Sequence, residues 1–158
     1  MRRGFDSLLP PFFKMVKNIL FVCKYNRFRS RIAEDYFRKI NKNTEIKVES
    51  AGLIQGLPIN KQQVELVKEF NINIEGTPRG LSEEMIRKAD IIIVVADNVP
   101  KRIFSRDKGF FRKVKVWKIK DQKIEDREKS TELIKEIIKK VDNLKINMEK
   151  GRWLTKTM

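Results

Sequence analysis

Apolar runs and amphipathic segments alternate along this chain. Residues 16–22 contain the run Ile19-Leu20-Phe21-Val22, which has the length and continuity of a buried strand and stops against Cys23. Residues 28–41 place Phe28, Ile32, Ala33, Phe37 and Ile40 at the spacing of a helix with one apolar face. A short strand around Ile46 to Ser50 ends at Ala51-Gly52. The segment "GLIQGLPIN", with two glycines and a proline, reads as a loop, and Val64, Leu66, Val67 and Phe70 mark a second helix. "GTPRG" is a further loop, and Ser82 stands as N-cap before Glu83-Glu84.

The most apolar stretch is "ADIIIVVA", residues 89–96, and such unbroken β-branched runs belong to strands covered on both faces of a parallel sheet. It predicts the central strand. A basic segment, 101–113, separates it from another strand, "KVKVWKI", in which Trp117 is read as a core residue. Residues 130–147 then carry Ile134, Ile137, Ile138, Val141 and Leu144 on one helical face. This alternation predicts a single α/β domain with an open, parallel, four-stranded sheet and helices on both faces. Ligands of such sheets bind at the carboxyl ends of the strands, here the segments "CKYNRFRS", "SAGLIQG", "ADNVP" and "KDQKIED".

Composition narrows the chemistry. A length of 158 residues suits one domain with one substantial core, and 36% charged residues beside 41% hydrophobic ones describe a heavily solvated surface. The net charge of +15 favours anionic partners without choosing among them. One cysteine and no histidine exclude an intramolecular disulfide, a Ser-His-Asp triad and a Cys-His protease, and argue against a zinc site. No metal and no cofactor are expected. No stretch approaches the ~20 apolar residues of a membrane span, and Pro10-Pro11 interrupts the N-terminal apolar patch, so a cytoplasmic protein without a signal peptide is expected. Residues 1–14 are read as a disordered N-terminal extension, 15–150 as the domain, and 151–158 as a C-terminal tail.

The cysteine loop carries the sharpest signal. Cys23 is followed after five residues by Arg29 and Ser30, a spacing that this chain's Arg and Ser frequencies would give by accident roughly once in three hundred. A loop running from a strand into a helix N-terminus gathers backbone N–H groups into one concavity and adds the helix dipole, making an oxyanion cradle. Arg29 can add a bidentate fork to two phosphate oxygens, and the same field favours the thiolate of Cys23. A thiolate at the floor of such a cradle is a nucleophile aimed at phosphorus.

The loop resembles the phosphate-binding loop of the low-molecular-weight protein tyrosine phosphatase and arsenate reductase superfamily, whose signature is Cys, five residues, Arg, Ser between first strand and first helix. The resemblance extends over roughly residues 16–147, through Asn26, "SAG" after the second strand and a Trp-x-Ile-x-Asp near the last strand. It implies a flavodoxin-like fold of the phosphotyrosine phosphatase I type. It further implies that Cys23 takes the phosphoryl group, that Arg29 binds its equatorial oxygens, and that Ser30 hydrogen-bonds the sulfur. Residues Lys24, Tyr25, Asn26, Arg27, Phe28, Arg29 and Ser30 form the substrate-binding loop, with Asn26 holding its shape by tolerating positive φ and Ser50 in support. Asp121 corresponds to the general acid.

Departures from the family bear on substrate. Its phosphatases usually have Asp-Pro where this chain has Asp121-Gln122, so Glu125 or Asp126 could compete for the acid's role. Tyr25 stands where glycine is common and where arsenate reductases often carry histidine, and Leu53 and Ile54 replace the aromatics of a phosphotyrosine pocket. The reading is therefore a metal-independent phosphatase acting on phosphorylated protein, plausibly phosphotyrosine, or on a small phosphomonoester. An arsenate reductase using an external thiol and a non-enzymatic anion or nucleic-acid binder stand as alternatives. For "KRIFSRDKGFFRK", a solvated segment with Phe104, Phe110 and Phe111 turned inward is preferred to a nucleic-acid surface.

Overall fold

The computed structural model describes residues 16–104 and 113–151. Its elements, in order, are β1 (Asn18–Cys23), α1 (Arg29–Ile40), β2 (Lys47–Gly52), α2 (Lys61–Lys68), α3 (Glu83–Lys88), β3 (Ile91–Val95), a 3-10 turn (Lys101–Phe104), β4 (Val114–Trp117) and α4 (Arg127–Glu149). The four strands form one sheet in the order β2-β1-β3-β4, and every neighbouring pair is parallel. The chain is a single α/β domain. Residues 1–14, the tail beyond Gly151, and Phe110 and Phe111 of the basic segment lie outside the described residues.

The two-residue period of a strand divides the core into two layers. Ile19 and Phe21 of β1 and Ile91, Ile93 and Val95 of β3 face a layer supplied by Ile32 and Phe37 of α1, Leu66 and Val67 of α2, and Ile134, Ile137 and Val141 of α4. Leu20, Val22, Ile92 and Val94 face the opposite side, where Ala89, Val99 and Phe104 are buried and Met85 and Ile86 of α3 pack against them. Burial on both faces is why β1 and β3 read as continuous apolar runs. The strand predicted as central, β3, thus shares the interior of the sheet with β1. Trp117 is buried, its ring 6.0 Å from that of Phe21, and Phe104 points inward.

β2 ends at Gly52, where its last residues pair in register with the end of β1, Cys23 opposite Gly52. Two boundaries move for identifiable reasons. α2 ends at Lys68, and Phe70 packs from the following turn. α4 begins at Arg127, three residues before the first position of its expected segment, because the Asp126 side chain caps it by accepting from the Lys129 N–H at 3.0 Å. Since all strands run the same way, the segments after β1, β2, β3 and β4 emerge at one edge.

Candidate active site

β1 delivers Cys23 to that edge as its last residue, and after five intervening residues α1 begins at Arg29. The N-cap position of α1 is Phe28, whose side chain makes no capping hydrogen bond, and the first turn holds no acidic residue. The N–H groups at this helix start are therefore left to the concavity of the loop. Asn26 turns the loop with φ of 56°, a left-handed conformation that Asn adopts more readily than most side chains. It is fully buried, and its amide is used at every position: Nδ2 donates to Ser30 Oγ and Ser50 Oγ at 2.8 Å each, and Oδ1 accepts from the Arg79 N–H at 2.9 Å. Ser30 Oγ lies 3.0 Å from Cys23 Sγ. Next to the loop, Gly52 is a steric requirement, because a Cβ there would stand 2.6 Å from the Tyr25 carbonyl carbon and 2.7 Å from Asn26 N.

Arg29 is buried, and groups from two other loops meet it. Its Nη1 donates to the Ile119 carbonyl at 2.9 Å and lies 3.8 Å from an Asp97 carboxylate oxygen; Nη2 donates to Asn98 at 3.4 Å. Nε lies 4.0 Å from Asp121 Oδ1, whose side chain is 55% exposed. The structure thus brings Cys23, Arg29, Ser30 and Asp121 to one place, with Ser50 reached through Asn26. Of the two acids that could compete with Asp121, Asp126 is engaged as the cap of α4, and Glu125 is exposed.

Beneath the loop lies a polar network that the sequence reading missed. Ser50 Oγ donates to Glu34 Oε1, and Arg79 and Arg38 donate to the same carboxylate at 2.9 and 2.8 Å. Burial works against the charge on Glu34, but the hydrogen bonds from Ser50 and Arg38 and the nearby guanidinium charges outweigh it, so the carboxyl sits below its usual range. Arg31 donates to the carbonyls of Ile74, Glu75 and Thr77 at 2.8, 2.6 and 3.2 Å and to Asn26 Oδ1 at 3.3 Å, and burial lowers its pKa. A signal for Glu34 was present: with Ser30, Ala33 and Phe37 it occupies the buried i, i+3, i+4, i+7 stripe of α1, where an acid needs partners. Asp97 and Asn98 belong to "ADNVP", one of the four segments expected at this edge, whereas Arg79 comes from a distant loop and carried no such signal. A cavity of about 550 Å³ opens on the outer side of this network, lined by Arg31, Glu34, Arg38, Thr77 and Arg79; Cys23 does not line it.

The remaining loop residues divide by direction. Tyr25 is exposed, Lys24 and Arg27 are half-buried, and the Phe28 side chain belongs to the core, so only its backbone can face the concavity. Among the described residues no group of three or more His, Cys, Asp or Glu could hold a metal ion, and no helix is long and apolar enough to cross a membrane.

The family described as low molecular weight phosphotyrosine protein phosphatase matches residues 18–150, and this chain belongs to it. A probable low molecular weight protein-tyrosine-phosphatase, EpsP, from Ralstonia solanacearum is 28% identical over 93 residues, which make up 58% of this chain and 64% of that relative's length. The low molecular weight protein tyrosine phosphatase from T. tengcongensis superposes with a TM-score of 0.65 at 25% identity, over 82% of this chain and 99% of that one. The YwlE arginine phosphatase from Geobacillus stearothermophilus gives 0.66 at 22% identity, over 85% and 96%, a likeness of fold.

Proposed function

We propose that this protein is a cysteine-dependent phosphatase that hydrolyses phosphomonoesters through a phosphocysteine at Cys23, without a metal ion. The observation that carries this reading is the loop itself: Cys23 and Ser30 in contact at 3.0 Å, at an uncapped helix start, with a buried Arg29 beside it. Family membership supports the phosphatase class. Backbone N–H groups of residues 24–29 and the Arg29 guanidinium bind the phosphoryl oxygens and stabilise the charge they carry in the transition state.

Two displacements follow. The Cys23 thiolate attacks phosphorus, the P–O ester bond breaks, and the Asp121 carboxyl gives its proton to the leaving oxygen. Water, deprotonated by the Asp121 carboxylate, then attacks the phosphocysteine, and the S–P bond breaks to return thiolate and inorganic phosphate. Ser30 Oγ hydrogen-bonds the departing sulfur. Asp121 lies on the same side of the sheet edge, within 4.0 Å of Arg29, which suits this role. Phosphorylated protein residues, phosphotyrosine among them, and small phosphomonoesters belong to the substrate range of this reading, and the setting is cytoplasmic.

Arsenate reduction through the same loop would need an external thiol, since Cys23 has no second cysteine in the chain to relay an oxidation. The test is hydrolysis of an aryl phosphate in the presence of a chelator, comparing wild type with Cys23→Ser and Asp121→Asn. Activity abolished in the first and strongly reduced in the second is the expected result; an inactive wild type that produces arsenite with an added thiol overturns it.

A further inference from the structure

The phosphate loop holds three cationic side chains, and the chemistry above uses one of them. Arg29 faces Asp97, Asn98, Ile119 and Asp121. Lys24 and Arg27 stand on the other side, where the segment after β2 is fastened to the loop: Leu53 N–H donates to the Cys23 carbonyl and Ile54 N–H to the Lys24 carbonyl, both at 2.9 Å. Neither cation forms an ion pair with a carboxylate among the described residues. Lys24 Nζ rests over the Tyr25 ring at 5.3 Å. Arg27 donates from Nη2 to the Pro58 carbonyl at 2.8 Å, while its Nε is buried with no acceptor.

Arg27 is also held in place. Gly56 lies against it so closely that a Cβ there would stand 2.7 Å from Arg27 Cγ and 2.5 Å from the Tyr25 carbonyl oxygen. A half-buried guanidinium with an unsatisfied N–H, fixed by a glycine and without a carboxylate partner, has lost water without gaining an anion. That is a costly arrangement for a side chain that serves only solubility. Exposed Ile54 and Leu57 continue the same rim with apolar surface.

We infer that Lys24 and Arg27 form a second anion subsite on the rim, selecting phosphomonoesters that carry another anionic group, a carboxylate or phosphate, on the leaving-group side. This rests on the phosphatase reading for its catalytic consequence, but the selection itself is a property of binding. The anionic group has two possible sources, the leaving group itself or a residue flanking a phosphorylated side chain.

The test measures both binding and turnover. Dissociation constants of Cys23→Ser for two phosphotyrosine peptides, one flanked by Glu and one by Gln, are compared with those for 4-carboxyphenyl phosphate and phenyl phosphate; wild-type kcat/KM is taken for the same four. The acidic member of at least one pair is expected to bind about tenfold tighter at low salt, with the ratio shrinking as salt rises. The ratio, rather than the absolute rate, is expected to fall close to one in the double variant Lys24→Met/Arg27→Gln. Preference in the peptide pair alone assigns the group to a flanking residue, and preference in the aryl pair assigns it to the leaving group. Equal affinity within both pairs, or a ratio unmoved by the double variant, overturns the subsite. Hydrolysis absent with the binding preference intact defeats the phosphatase reading and leaves the subsite standing.

Discussion

The two sides of the site are built differently. On one side, Asn26, Ser30 and Ser50 are fully buried and tied to Glu34, Arg31 and Arg79 by a chain of hydrogen bonds that fixes the loop's left-handed turn. On the other, Asp121 is more than half exposed, touches Arg29 only at 4.0 Å, and otherwise accepts from its neighbour's Gln122 N–H. The difference fits two tasks. Charge stabilisation requires donors fixed before the reaction begins, whereas a group that gives up and regains a proton works best with access to water.

Breaking the cradle is expected to have the largest effect. Arg29→Lys keeps the charge but loses the planar fork, and kcat/KM for an aryl phosphate should fall by about 10²–10³-fold. Asn26→Ala removes four hydrogen bonds and the residue suited to positive φ; a loss of similar order is expected, accompanied by lower thermal stability in a melting experiment.

On the exposed side, Asp121→Asn should cost about 10²-fold in kcat for a poor leaving group and much less for a good one, with little change in melting temperature. That dependence on the leaving group separates a proton donor from a residue that merely positions Arg29. Were the losses equal for both leaving groups, Asp121 would act through Arg29 instead.

A pH experiment sharpens the same contrast. The Glu34 carboxyl is held below the ordinary glutamate range, so its ionised form stabilises the fold above that range, and this contribution is lost as pH falls through the lower, folded-state value. Glu34→Gln should therefore be less stable than wild type at neutral pH, with the gap narrowing on acidification, as read by thermal melts across pH. The smallest effect belongs to Asp126→Ala, which removes the cap of α4: about 1 kcal/mol of stability, read by denaturant unfolding, with aryl phosphate hydrolysis unchanged.

The contrast also explains what the sequence disclosed. The strands and the cysteine loop were legible because each is local: a buried run shows as consecutive apolar residues, and Cys23, Arg29 and Ser30 lie within eight positions. Glu34 was legible in principle, as an acid on an apolar stripe. Asp97 and Asn98 were legible only as part of the segment after β3, without individual roles, and Arg79 was not legible at all, because single polar residues in loops show no periodicity. Lys24 and Arg27 were legible as members of the substrate-binding loop, but the buried, unsatisfied Nε of Arg27 and the close fit of Gly56 against it were not, because both depend on how the segment after β2 packs on that loop.

The central claim is that phosphorus becomes bonded to Cys23, and mass spectrometry of rapidly quenched protein tests it most directly. Wild type and Asp121→Asn are mixed with an aryl phosphate of good leaving group, quenched in acid, and mapped by peptide. The account predicts a phosphoryl adduct on the peptide containing Cys23, accumulating more in Asp121→Asn because water attack is slowed. Hydrolysis with full turnover and no adduct on Cys23 in either protein would contradict it.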